Sequence, residues 1–250
     1  MKVFIVAKEI DFVYRSVIAK LSELGIQHTD SISDCDMVIT IGGDGTILQN
    51  GKQAAKARKP LLGINTGRLG FMATLETNEL DKLERIKSGN YATSRRMLLD
   101  VRIGNKSFQA LNDVVLHRGK KSRLPDFSVT RGDIEVMRVR ADGIIVATPT
   151  GSTAYSLSAG GPIIEPDLEC FLVTSLNPHT LFNRPMIFLP QSQLSVFAKE
   201  VFVSIDGSDE VPLHEEISIS KSQYHLDLID INGNSFYDSI HNKLMKPLKE

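Results

Sequence analysis

Residues 38–48 read Val-Ile-Thr-Ile-Gly-Gly-Asp-Gly-Thr-Ile-Leu, two apolar runs broken by three glycines and one acid. Asp-Gly between hydrophobic runs ordinarily signals a tight β-hairpin. A hairpin needs a second strand, and none follows. From Thr46 the chain enters an Ala-, Lys- and Gln-rich segment without period-2 alternation, and residues 49–58 favour a helix despite Gly51. The glycine stretch therefore joins a strand, Met37 to Ile41, to a helix. Such a junction leaves free backbone N–H groups at a helix amino terminus, where anions bind. Glycines let the backbone approach a ligand closely. Asp44 is the anomaly, because a carboxylate in a phosphate cradle repels its own ligand. It fits if it takes a proton from a hydroxyl or works through a metal ion. A plain strand–helix turn with Asp44 as N-cap is the other reading.

On either side the rhythm is strand then helix. Residues 3–7 form a short apolar strand, and Phe12, Val13, Val17, Ile18, Leu21 and Leu24 recur at helical spacing up to Gly25. Residues 61–64 form a third strand, and Leu80, Leu83 and Ile86 mark a helix ending near Gly89. This alternation predicts a parallel sheet with helices on its faces. Near Met97 the pattern changes to closely spaced strands at 97–103, 114–117, 127–130, 134–140, 144–148, 171–174, 194–197, 201–205 and 217–220. Gly104-Asn105 and Arg131-Gly132-Asp133 read as turns between them. Residues 225–231 and 235–243 return to strand and helix. The expected domains are 1–98 with 225–250, α/β, and 99–224, β-rich.

Composition narrows the function. The chain has 250 residues, 42% apolar and 24% charged, with 29 Lys plus Arg against 30 Asp plus Glu. A formal net charge of -1 speaks against a general nucleic-acid binder, so any anion site is local. No stretch reads as a signal-peptide core or a membrane span. The two cysteines, Cys35 and Cys170, have no metal-like spacing, which predicts a reduced, cytoplasmic protein without zinc. Two nucleotide motifs are missing. Five residues separate Gly45 from Gly51-Lys52, one too many for a Walker A loop, and no G-x-G-x-x-G follows an early strand.

A second unusual stretch, residues 148–166, reads TPTGSTAYSLSAGGPIIEP, with three each of Thr, Ser, Gly and Pro. Its hydroxyls and amides suit a sugar or base edge, and Tyr155 suits stacking on an aromatic ring. A short helix near Ser152, packed silently inside the domain, is the alternative. Asn112-Asp113 offers an amide and an acid for ribose hydroxyls, or is a simple turn pair. Arg118, Lys120, Lys121 and Arg123 form a local basic run, useful for phosphates or merely solvated. Arg138, Arg140 and Asp142 alternate and so share one face, which also suits surface charge pairing.

Taken together, GGDGT at 42–46, GINTGRLGF at 63–71, ND at 112–113, ADGIIVATPTGSTAYSLSAGGPI at 141–163 and NPHTLFNRP at 177–185 resemble the bacterial-type NAD kinases. The GGDG element alone is shared with lipid kinases and phosphofructokinases; the Thr/Ser/Gly block is more specific. The resemblance implies a Rossmann-like α/β domain, a β-rich second domain and a carboxy-terminal segment returning to the first. It implies transfer of the γ-phosphate of ATP, or phosphate from polyphosphate, to the 2′-hydroxyl of the adenosine ribose of NAD. Mg²⁺ would accompany the donor, and the assembly would be a homodimer or homotetramer. By resemblance, Asp44 is the proton acceptor with Gly45 beside it. Asn112 and Asp113 match an Asn-Glu pair, the acid here one methylene shorter. Arg123, Arg140, Asp142 and the run Thr153, Ala154, Tyr155, Ser156, Leu157 and Ser158 fall at dinucleotide contacts. Thr46, Phe71, Asp206 and Ser208 are further expected contacts, Ser208 standing where the family commonly has Gln. The rivals are a GGDG-type kinase for a lipid or sugar and a non-catalytic NAD(P)-binding sensor.

Overall fold

The computed structural model describes residues 1–67, 70–119, 123–180, 183–208, 210–233 and 236–245. The chain divides into two compact units, Met1–Arg95 with His225–Glu250, and Arg96–Tyr224.

The first unit opens with β1 (Lys2–Ala7), α1 (Phe12–Glu23), β2 (Gln27–Thr29), β3 (Met37–Ile41), α2 (Asp44–Lys56) and β4 (Leu61–Asn65). β5 (Leu75–Glu76) and α3 (Glu84–Ser88) follow, α3 directly after a 3₁₀ turn at Thr77–Leu83. β1 pairs in parallel with both β2 and β3, and β3 with β4. Every residue of β3 and β4 is buried, the mark of central strands covered on both faces. Asp11 caps α1 by accepting the Tyr14 N–H at 3.0 Å, and Gly25 behind it takes φ +68°. Val3, Ile5, Val17, Leu21, Ile39, Leu62, Ile64 and Leu83 lie in one core.

The second unit is a sandwich of two antiparallel layers. Its strands are β6 (Ala92–Ile103), β7 (Lys106–Ala110), β8 (Asp113–Arg118), β9 (Asp126–Arg131), β10 (Ile134–Arg140) and β11 (Gly143–Ala147). After a short helix, α4 (Tyr155–Ser158), come β12 (Phe171–Leu176), β13 (Met186–Phe188), β14 (Leu194–Phe197), β15 (Val201–Ile205), β16 (Val211–Leu213) and β17 (Ile217–Asp230). One layer runs β13-β12-β11-β8-β15-β16, and the other contains β10-β9-β14-β17. Inward residues at period 2, such as Phe127 and Val129, Val201 and Val203, and Ile217 and Ile219, fill the space between them. β11 and β12 are buried on both faces. Their second face carries Ile145, Ala147 and Leu172 packed with Ile164 and Cys170, so the segment after β11 seats against the sheet. The RGD triplet is the β9–β10 hairpin turn, with Gly132 at φ +58°.

Three readings change. α2 begins at Asp44, five residues before the expected start, with Gly43 rather than Asp44 as N-cap. Strands expected at 217–220 and 225–231 are one strand, β17, whose polar middle Lys221-Ser222-Gln223 continues the ladder. Its last residues enter the first unit, where Leu228 pairs in parallel with Leu61. The helix expected over 235–243 is α5 (Phe236–Ile240) followed by a wider turn at His241–Met245. Among the described residues no helix is long and apolar enough to cross a membrane.

Candidate active site

The glycine stretch is the turn from β3 into α2. Gly42 takes φ +156°, and a Cβ there would fall 2.2 Å from the Thr46 hydroxyl, so the turn into α2 needs glycine. Among the described residues, Gly43 and Gly45 have no neighbouring atom within 4 Å of a built Cβ, so the backbone is open to a ligand on that side. Thr46 is buried and its N–H bonds the Gly43 carbonyl at 2.9 Å, closing the first turn.

Asp44 has a more specific setting than a cap. Its Oδ2 accepts the Phe71 N–H at 2.7 Å, and its Oδ1 accepts those of Met72 at 3.1 Å and Ala73 at 3.3 Å. A carboxylate has about four lone-pair sites. Three are taken by the described residues, which fixes the group and leaves among them a position for one further partner. A Cβ on Gly70 would sit 1.8 Å from Oδ1, so the segment can wrap the carboxylate only with glycine there. The end of GINTGRLGF, Gly70 and Phe71, thus forms the clamp on Asp44 together with Met72 and Ala73; Arg68 and Leu69 lie outside the described residues. The Lys243 ammonium sits 4.0 Å above the Phe71 ring, and the Asp44 charge reaches it.

The second unit gathers Asn112, Asp113, Asp206 and the Thr/Ser/Gly block. Asp206, at φ +50°, accepts the N–H groups of Leu111 at 2.9 Å, Asn112 at 2.8 Å and Asp113 at 3.2 Å. Ser208 accepts the Ile205 N–H at 3.1 Å, tightening that turn. Asp113 is 5% exposed. Burial, and secondarily the Asp206 charge, push its carboxyl up to about 7, so it is largely protonated below neutrality. Gly151 presses on Asn112, whose carbonyl oxygen would lie 2.1 Å from an added Cβ.

The block is more self-contained than its hydroxyl content suggested. Thr148 Oγ1 donates to the Leu111 carbonyl at 2.6 Å, Ser152 Oγ to that of Pro149 at 2.7 Å, and Ser156 Oγ pairs with Thr174 Oγ1 at 2.9 Å. Thr153 Oγ1 turns back to the Thr150 carbonyl. These hydroxyls shape the loop. Tyr155 is 49% exposed and Ser158 is exposed, while Ala154 and Leu157 are half-buried. Two buried polar atoms here have no partner among the described residues: Asn112 Oδ1 and Thr150 Oγ1. Orphaned buried polar atoms call for a ligand or water. Thr150 was not among the expected contacts, yet its position in TPTGS is where an unpaired hydroxyl would be sought.

The expected basic contacts lie elsewhere in this unit. Arg140 forms a two-pronged pair with Asp126, at 3.0 and 2.8 Å, and Arg138 pairs with Glu135. Asp142 is outside that strand and bonds Arg118 at 2.7 Å and the Asn177 amide at 3.0 Å, so the three do not act as one face. Arg123 lines a cavity of about 730 Å³ with Asp126, Arg138 and Lys199; none of Asn112, Asp113 and Asp206 lines it. Lys120 and Lys121 of the basic run lie outside the described residues, as do Leu181 and Phe182 of NPHTLFNRP.

The family model for the ATP-NAD kinase N-terminal domain matches residues 17–91, and that for the ATP-NAD kinase C-terminal domain matches residues 111–231. The chain belongs to the NAD kinase family. The NAD kinase of Symbiobacterium thermophilum is 40% identical over 84% of this chain and 79% of its own length. That of Treponema denticola is 37% identical over 98% and 89%. Among solved structures, an NAD kinase from Archaeoglobus fulgidus in complex with ATP superposes with a TM-score of 0.84 at 27% identity, covering 98% of this chain and 99% of that one. Yeast NADH kinase complexed with NADH gives 0.82 at 24% identity, a likeness of fold. The NAD kinase fold thus accounts for both the parallel-sheet unit and the β-sandwich unit.

Proposed function

We infer that the protein phosphorylates NAD, transferring the γ-phosphate of ATP to the 2′-hydroxyl of the adenosine ribose to give NADP and ADP. The observation that carries this is Asp44, clamped by three backbone N–H groups beside an open glycine turn at the start of a 13-residue helix, in a chain of the NAD kinase family. A sensor that only held NAD(P) would need neither the clamp nor the acid. A lipid- or sugar-directed kinase would not need the Thr/Ser/Gly block.

In this reading the ribose hydroxyl meets the one open lone-pair position of Asp44 and gives up its proton there. General-base assistance of this kind is worth roughly 10²–10⁴ in rate. The amides of the glycine turn face the donor phosphates, and alignment with charge neutralisation supplies most of the remainder. Mg²⁺ enters with the triphosphate as part of the donor. Asp44 spends its oxygens on amides, and its open position suits a hydroxyl or a metal-bound water better than direct chelation.

NAD is assigned to Asn112, Asp113, Tyr155 and the exposed part of 153–158, with the Thr153 and Ser156 hydroxyls shaping the loop behind it. Asn112 Oδ1 and Thr150 Oγ1, both unpaired, accept from or donate to it, and the protonated Asp113 donates a hydrogen bond. Arg140 is held on Asp126 by an exposed charge pair weak enough to exchange for a phosphate, and Arg123 lines the same cavity as Asp126. Free, buried Cys35 and Cys170 suit a cytoplasmic protein, and a homodimer or homotetramer follows the family resemblance.

The test is NADP formation from NAD and MgATP, read with an NADP-specific dehydrogenase. Wild type is expected to make NADP, and Asp44→Asn to lose roughly 10²–10⁴ of the rate with its melting temperature kept as control. A variant rate within a few-fold of wild type removes Asp44 from the chemistry.

A further inference from the structure

The first unit holds a cation that no sequence motif announced. Lys243 lies in the turn His241–Met245, and its side chain reaches Phe71. Phe71 has two roles at once: its N–H holds Asp44 Oδ2 at 2.7 Å, and its ring face carries the Lys243 ammonium at 4.0 Å. The cation is half-buried and, among the described residues, makes no hydrogen bond or close ion pair. A stripped ammonium over an aromatic face keeps part of its solvation loss unrepaid. Burial pushes its pKa down, and only the Asp44 charge pulls it back up. Asp44 cannot complete it, because three of its lone pairs face backbone N–H groups.

We propose that Lys243 is a catalytic residue of this site, its ammonium contacting the non-bridging oxygens of the donor triphosphate beside Asp44. The inference rests on the reading of the protein as a phosphoryl-transfer enzyme. It also resolves the anomaly of a carboxylate in a phosphate cradle: a cation anchored on the clamp of that carboxylate cancels the repulsion locally. In the step, a bond forms from the ribose 2′-oxygen to the γ-phosphorus, and the bond from that phosphorus to the bridging oxygen breaks. The bridging oxygen leaves with its electron pair on ADP, the hydroxyl proton passes to Asp44, and Lys243 keeps its proton throughout. Its charge offsets that on the oxygens of the moving phosphoryl group.

The experiment compares wild type with Lys243→Met and Lys243→Arg. Two quantities are read: calorimetric binding of inorganic triphosphate, and kcat with KM for ATP and for NAD. Lys243→Met is expected to weaken triphosphate binding and raise KM for ATP roughly tenfold or more, with NAD binding in the absence of donor unchanged. Its kcat is expected to fall roughly 10²-fold, and Lys243→Arg to recover part of both losses. Met-variant binding and kcat within about twofold of wild type, with a lowered melting temperature, would show Lys243 to be structural and overturn the proposal. If wild type makes no NADP while triphosphate binding still depends on Lys243, the kinase reading fails and the anion contact stands.

Discussion

Asp113 shows how one buried side chain ties stability to function. It sits at the start of β8 with the Asp206 carboxylate nearby, and its acid form is favoured up to about 7 against an ordinary 3.8. An acid whose pKa is raised by folding keeps its proton in the native state after the unfolded chain has lost it. Native stability therefore falls as pH rises from about 3.8 to about 7, and this group adds no further slope above that. Between pH 5.5 and pH 8 the fall is about 2 kcal/mol, from roughly 1.4 kcal/mol per unit. Urea denaturation at the two pH values is expected to show it in wild type and to lose it in Asp113→Asn. Equal pH slopes in both proteins would mean that Asp113 ionises as if exposed. Asp206 accepts three backbone N–H groups, which makes it a brace for Leu111–Asp113.

At the scale of elements, the Thr/Ser/Gly block is folded by its own hydroxyls. Ser152 is fully buried, donates to the Pro149 carbonyl and accepts the Ile164 N–H at 3.0 Å, so it pins both ends of the segment. Ser152→Ala leaves the buried Ile164 N–H without its acceptor, a cost of about 1–3 kcal/mol, while the Pro149 carbonyl keeps the Ser152 backbone N–H. Chemical denaturation reads that loss, and an unchanged midpoint would show that the segment is held by Ile164 packing alone. Legibility follows the range of the interactions. β3 and β4 are readable as apolar runs because burial on both faces needs nothing else. The start of α2 escaped because Gly-Asp-Gly-Thr has poor helix propensity, and the Phe71–Ala73 clamp on Asp44 lies 27 to 29 residues away. β17 read as two strands because Lys221-Ser222-Gln223 interrupts its apolar pattern. The candidate site was legible in its residue types and less so in their partners. Asp44 and Asn112-Asp113 stood out, whereas Thr148, Ser152 and Ser156 looked outward and are internal. Lys243 gave no signal, since its contact with Phe71 spans most of the chain.

For the whole molecule, two cores support two kinds of chemistry. The parallel-sheet unit presents a helix amino terminus with a fixed carboxylate, the arrangement suited to a phosphoryl donor and its acceptor hydroxyl. The sandwich unit presents unpaired polar atoms and an exposed aromatic ring, suited to a nucleoside. The fold shared with the ATP-bound Archaeoglobus fulgidus enzyme spans nearly the whole of both chains. The measurement that tests the central claim most directly follows the phosphorus itself: ATP labelled in its γ-phosphate, NAD and Mg²⁺ are incubated with wild type and with Asp44→Asn. The account predicts label in the 2′-phosphate of NADP for wild type and almost none for the variant. Label confined to inorganic phosphate, or transferred equally well by the variant, would contradict it.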